Sequence, residues 1–400
     1  AMRFNFKTTM RACFVSNIVQ AVVNNFVPLL FITFQQDYHI PLSKITLLVT
    51  VNFGVQLLVD MLAARFVDRI GYRTSVVAAQ LLAAAGLILL TVLPGLMDPF
   101  TGILVSVIVY ALGGGLMEVI ISPIVESCPT DNKETAMSLL HSFYCWGHMG
   151  VVLASTVFFK LIGIGNWRIL ALIWAVLPII NSVVFAFTPI APLLSEGERG
   201  MGLRGLFKSR VFWVLFLMML CAGASEQAVS QWASAFAEQG LGVSKAAGDL
   251  MGPMSFAALM GLSRALYGHF GEKLRLERVM KFSAALCVVS YLLVALPPWP
   301  MLNLLGCGLC GFSVGVMWPG TLSKASRVLR TGGTAMFALL ALAGDIGCSA
   351  GPTLVGMVSS AAGGDMKPGL LSAVGFAAVM LCCLLSIAPS PKHNVNTSET

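Results

Sequence analysis

Apolar runs of 18 residues or more, separated by short charged breaks, recur twelve times along the chain, at roughly 12–34, 43–66, 74–94, 99–127, 134–160, 167–188, 210–237, 246–268, 277–296, 299–322, 332–360 and 368–388. Each run is long enough to cross about 30 Å of hydrocarbon as a helix. In lipid the backbone must satisfy its own polar groups, so runs this long and rich in Leu, Ala, Gly and Val predict helices. They lack the alternation of a lipid-facing β-strand. The pattern predicts an all-α membrane protein of twelve transmembrane helices.

The breaks are unequal. One long polar segment, 189–209, falls near the midpoint and carries Ser195-Glu-Gly-Glu-Arg-Gly, then Arg204, Lys208 and Arg210. It divides a six-helix bundle at 1–188 from a second at 210–390, leaving 391–400 as a polar tail expected to be disordered in the cytoplasm. The halves echo each other. Gly71-Tyr-Arg73 returns as Gly271-Glu-Lys273, Thr135-Ala-Met137 as Thr334-Ala-Met336, and Gly115 with Pro123 as Gly311 with Pro319. All these offsets lie between 196 and 200 residues, as two parallel repeats require.

Composition sharpens this reading. Hydrophobic residues make up 57% and charged residues 11%, against roughly 25% charged in soluble domains. Mean hydropathy is +0.85. A net charge of +7 would suggest nucleic acid in a soluble protein, but here the basic residues sit in loops and argue for topology and anionic lipid instead. With both termini cytoplasmic, twenty of the 25 basic residues, Arg264 among them, fall on the cytoplasmic side. A missed span would reverse the bias from that point on. A multi-pass inner-membrane protein is therefore expected, monomeric, with no nucleic-acid partner. The ten cysteines have no framework spacing. Arg3, Lys7 and Arg11 precede an apolar run without a small-residue cleavage site, so the start reads as the first span.

Ionisable groups at bilayer depth are costly, about 2.5–3.5 kcal/mol for an acid at a helix centre on insertion scales, and so point to function. Glu118, Glu226 and Asp345 fall mid-span and are the candidate proton carriers. Asp60 continues a stripe from Asn52 and Gln56 toward the next loop, which suggests a structural or gating role. Neutral polar residues also recur at helical spacing: Asn17, Gln20 and Asn24; Ser138, His141 and Cys145; Glu118 with Ser122; Glu226 with Ser230. Several polar stripes on apolar helices imply a central cavity. Asn24, Asn25, His141, Tyr144 and Gln231 are candidate solute contacts, with Trp232 and Trp318 as stacking faces.

The loop Ala64-Arg-Phe-Val-Asp68-Arg69-Ile-Gly71-Tyr-Arg73 resembles the signature loop of the major facilitator superfamily. That resemblance implies that Asp68, Arg69 and Arg73 help lock one conformation. Gly113-Gly-Gly-Leu-Met-Glu118-Val-Ile-Ile-Ser-Pro123, with His141, Tyr144 and Gly147, is similar to the fourth and fifth helices of the fucose:proton symporter family. Phe34-Gln-Gln36 and Glu226 with Gln231 and Trp232 also resemble that family. There the fourth-helix glutamate is thought to carry the proton, which implies that role for Glu118. Where such symporters can carry an acid in the first helix, this chain has Asn24-Asn25.

The expectation is proton-coupled symport of a small polar solute, a monosaccharide, driven by the proton gradient with no cofactor and no enzymatic activity. A proton-antiporting exporter on the same fold and a non-transporting sensor or lipid-active protein are the rivals. Four other signatures are set aside. Gly311-Phe-Ser313-Val-Gly315 lacks the strand–turn–helix setting of a nucleophile elbow. Cys307-Gly-Leu-Cys310 has no second pair. No Gly-Lys dipeptide and no His-Glu dipeptide occurs, so P-loop and zincin signatures are absent.

Overall fold

The computed structural model describes residues 5–129, 133–191, 203–270, 274–329 and 333–387, which are helical with no strand among them. In the first half α1 is Phe6–Tyr38, α2 Leu42–Ile70, α3 Tyr72–Leu96, α4 Pro99–Ser127, α5 Lys133–Ile162 and α6 Trp167–Phe187. A six-residue helix, Leu203–Lys208, leads into the second half. There α7 is Arg210–Gly240, α8 is 245–270, α9 Leu276–Ala295, α10 is 300–328, α11 Gly333–Ala361 and α12 Met366–Ser386.

Eleven of these are long and apolar enough, among the described residues, to cross a membrane. The twelfth, α8, spans 26 residues, or about 39 Å at 1.5 Å per residue, but carries Lys245, Asp249 and Arg264. All three charges make contacts within the protein.

Local chemistry sets the helix ends and breaks. Asn5 opens α1 with a capping box, its side chain accepting from the Thr8 backbone N–H. Asp98 caps α4 by accepting from Thr101 N–H at 3.0 Å, with Pro99 in the first turn. Gly71 takes φ +84° in the tight α2–α3 link. Two prolines break their helices and release backbone acceptors. A proline lacks the N–H that would bind the carbonyl four residues back. Pro28 therefore frees the Asn24 carbonyl, where α1 passes through a 3₁₀ turn at Val27–Leu30. Pro319 likewise frees the Gly315 carbonyl, where α10 is interrupted between Val314 and Met317.

The same helix pairings occur in both halves. α1 packs on α5 as α7 does on α11; α3 packs on α4 as α9 does on α10; α3 packs on α6 as α9 does on α12; and α2 packs on α4 as α8 does on α10. The contacts between halves obey the same relation, α2 against α11 and α5 against α8. Lys324, buried in α10, pairs with Glu277 of α9 at 2.8 Å.

Small residues bring α7 and α11 together, as expected where lipid removes the hydrophobic drive between helices. Gly347 faces the Leu220 carbonyl, Gly351 faces Ala224, and Gly223 faces Gly344. A Cβ on Gly347 would collide with backbone, which cannot yield as a side chain can. Gly347→Ala should therefore cost about 1–3 kcal/mol and lower the melting temperature in detergent. Gly150→Ala, which meets nothing within 4 Å, should leave it unchanged.

The halves are sealed on the face opposite the N terminus. Thr50 and Thr353 hydroxyls are in contact there, and Ser349 Oγ donates to the Thr50 carbonyl at 3.4 Å. Gly356 rests against Thr46. Lys245 Nζ donates to the Leu29 carbonyl at 2.6 Å and sits 5.6 Å over the Phe159 ring. Toward the N-terminal face Glu118 and His141 stay exposed although each points between the halves, Glu118 at Asp345 and His141 near Arg264. The central cavity opens on that face.

Candidate functional site

At the closed end of the cavity lies a small cleft, lined from one half by Asn24, Phe31, Asn52 and Tyr110 and from the other by Gln231. The polar stripe foreseen along α1 and α2 forms a chain of amides. Gln20 Nε2 donates to Gln56 Oε1 at 2.9 Å, and Gln56 Nε2 donates to Asn24 Oδ1 at 2.8 Å. Asn52 Nδ2 donates to Asn24 Oδ1 at 3.3 Å. Asn24 and Asn25 reach the Tyr144 hydroxyl at 3.5 and 3.3 Å. The carbonyl freed by Pro28 is used across the halves: Gln231 Nε2 donates to Asn24 O at 3.0 Å and to Gln227 Oε1 at 3.1 Å. Gln20 Oε1 and Asn25 Oδ1 are buried acceptors without a partner.

The carboxylates fall into two groups. Asp60 on α2, Glu118 on α4 and Asp345 on α11 bring oxygens within 4.8 Å of one another, so both halves contribute to one acidic cluster. Three ionised acids this close repel one another, so the cluster is a place where a proton could be held. Their spacing would also admit a cation. Asp60, read from the sequence with the signature loop, lies instead against Glu118 and Asp345. Glu226 does not join them. It lies beside Arg264 of α8, with Oε2 3.7 Å from Nη2, and Gln227 Nε2 approaches its Oε1 at 3.4 Å.

Arg264 is the residue that the topology count hid. Counted with the cytoplasmic basic residues, it points instead into the cavity, donating from Nε to the Gly315 carbonyl at 3.1 Å and from Nη1 to Cys145 Sγ at 3.1 Å. Its apolar neighbours on both sides, Ala258-Leu-Met-Gly-Leu before and Ala265-Leu after, were the available signal.

The other expected residues are distributed as follows. His141 is exposed to the cavity near Arg264. Trp232 is 1% exposed, donates its indole N–H to the Pro352 carbonyl at 2.9 Å and packs on Phe31, so it offers no stacking face in this conformation. Trp318 lies half-buried over Gly344, beside Asp345. Arg73 Nη1 lies 2.8–3.0 Å from the carbonyls of Phe185, Ala186 and Thr188, where it caps α6 within its own half rather than bridging to the other. The side chains of Asp68 and Arg69 lie outside the described residues.

Comparison with known proteins fits this geometry. A bacterial homolog of the human lysosomal transporter Spinster, in an inward-facing and unoccupied conformation, has a TM-score of 0.71 at 16% identity, covering 95% of this chain and 94% of its own. The Escherichia coli fucose:proton symporter FucP has a TM-score of 0.65 at 15% identity, covering 95% of this chain and 98% of its own. FucP in its outward conformation also scores 0.65, at 15% identity. No curated protein sequence matches the chain. The family model described as Major Facilitator Superfamily matches residues 12–352, from within α1 into α11 and so through both halves. The chain belongs to the major facilitator superfamily.

Proposed function

We propose that this chain is a proton-coupled symporter of a small polar solute, a monosaccharide, held in the cytoplasmic membrane with both termini inside. The observation that carries the reading is the cleft between the halves, whose polar lining is almost wholly amide. Sugar hydroxyls both donate and accept, and amides answer both needs. The unpartnered Gln20 Oε1 and Asn25 Oδ1 are acceptors of the kind a hydroxyl satisfies. The acidic cluster supplies the coupling group, with Glu118 as the exposed member that meets cavity water. On this topology the cavity faces the cytoplasm, and alternating access is rocking of one half against the other.

Uptake of radiolabelled hexoses, pentoses and deoxyhexoses into proteoliposomes under an imposed pH gradient tests this. Accumulation of a sugar that collapses with the gradient is the expected result. No sugar bound at millimolar concentration, with a lipophilic cation extruded instead, would replace symport by export. A hydroxyl missing from the solute leaves a site amide unpaired, at about 1–3 kcal/mol per group. Deoxy analogues should therefore bind roughly ten- to hundred-fold more weakly, and Gln231→Ala should flatten that discrimination in a thermal-shift titration.

A further inference from the structure

A neutral sugar does not need the permanent cation that the cavity contains. Arg264 cannot shed its proton inside a protein, and its placement at membrane depth demands a reason. The surroundings hold the guanidinium in a set pose. Nε is anchored on the Gly315 carbonyl that Pro319 leaves free, and Nη1 on Cys145 of the opposite half. The remaining Nη2 edge faces Glu226 at 3.7 Å. A close charge-assisted bond would be about 2.7–2.9 Å, so this edge keeps donors that no short hydrogen bond occupies.

An ion pair that merely ties α7 to α8 would be closed and sealed. Here the Arg264 side chain retains 25% of its surface and that of Glu226 10%. The groups that face this pair are His141, Tyr144 and Cys145 on α5, Gln227 on α7, and Cys348 on α11, with Asp345 one turn away on α11. Glu226 and Asp345 are the acids among them, and Asp345 already belongs to the acidic cluster. Glu226 is therefore the internal anion that a solute's own anion would replace.

We infer that Arg264 is the recognition residue for a carboxylate on the solute, and that the transported sugar is a sugar acid of the hexuronate type. This rests on the monosaccharide reading above and narrows it. The solute's carboxylate accepts from the Nη2 donors that face Glu226, while Glu226 takes up the proton held by the acidic cluster and withdraws. One proton then enters with one anion, and the loaded site carries the same net charge as the empty one. Glu226 in this scheme competes with solute rather than binding it.

The test compares D-galacturonate with D-galactose on purified protein, by thermal-shift titration and by proteoliposome uptake. Galacturonate should bind at least ten-fold more tightly than galactose, and Arg264→Gln should bring the two within about two-fold. Equal or weaker binding of galacturonate by the unaltered protein overturns the inference, as does an Arg264→Gln variant that keeps the preference. Should Arg264→Gln fail to fold, Glu226→Gln carries the test, because it keeps the cation and removes its competitor. That variant should bind galacturonate more tightly, and weaker binding overturns the inference. The two readings fail separately. Accumulation of galactose without galacturonate leaves sugar symport standing and removes the carboxylate. Binding of succinate through Arg264, with neither sugar bound, removes the sugar and keeps carboxylate recognition.

Discussion

Replacing Glu118 by glutamine should abolish accumulation of solute against its gradient while leaving exchange of labelled for unlabelled solute largely intact. The expectation rests on where the carboxyl sits. Glu118 and Asp60 belong to one half and Asp345 to the other, with oxygens within 4.8 Å. Two unit charges at that separation interact by about 3.5 kcal/mol at an effective dielectric of 20. At 1.4 kcal/mol per tenfold, gain or loss of one charge in the cluster shifts the balance between closed and separated halves by about 2.5 orders of magnitude. On the proposed symport reading, proton occupancy is thereby linked to the rocking step. A glutamine fixes the neutral state, so the halves still move but no longer sense the gradient. In proteoliposomes with an imposed pH gradient, the internal-to-external solute ratio should fall to one. Full accumulation by the variant would remove Glu118 from the coupling. If a sodium gradient drove the unaltered protein where a pH gradient did not, the cluster would be a cation site instead.

The parts of this site that could be read from the sequence share one property: they act through the spacing of a single helix. The stripe Asn17, Gln20, Asn24 and the stripe Asn52, Gln56, Asp60 lie on one face each because helical neighbours recur every three to four residues, and their amides hydrogen-bond between helices of the first half. The helical fold was legible for the same reason, since an apolar run of 18 residues admits few structures in lipid. What could not be read depends on which helices meet. Asp60 and Asp345 are 285 positions apart, and only the packing of α2 on α11 makes them neighbours. Trp232 looked available for stacking because a sequence does not show that its N–H is taken by Pro352. Arg264 was passed over as a site residue by an argument sound on average. Counting loop charges assigns any arginine near a helix end to the loop, whereas a long side chain can turn back into protein when a freed carbonyl such as that of Gly315 awaits it. The two prolines, Pro28 and Pro319, were visible all along. Each marks a carbonyl without its helical partner, and in both cases a cavity side chain, Gln231 or Arg264, has claimed it.

Lys245→Met should shift the protein toward the conformation open on the face opposite the N terminus. Lys245 is the charged element of the seal on that face. Its ammonium lies 3.1 Å from Asp249 and 3.9 Å from Glu238 within its own half, and it donates to the Leu29 carbonyl of the other half at 2.6 Å. The Phe159 ring, also from the other half, lies beneath it at 5.6 Å. Opening this face breaks the contacts to Leu29 and Phe159 but keeps those to Asp249 and Glu238, so Lys245 stabilises the closed face specifically. Its loss also strands Asp249, which is 1% exposed and keeps only the Ser234 hydroxyl as partner. Removing one member of a buried pair costs about 3–5 kcal/mol, and opening this face to water relieves that cost. A cysteine introduced at Thr46, beneath the seal, reports the change through the rate of alkylation by a membrane-impermeant maleimide in excess of that of the same protein with Thr46 and its ten native cysteines. The rate should rise at least ten-fold in Lys245→Met. It should return toward the parental value in Lys245→Met with Asp249→Asn, where no charge is left stranded. An unchanged rate in a folded Lys245→Met protein would show that the contacts of Thr50, Ser349 and Thr353 hold the face closed without it.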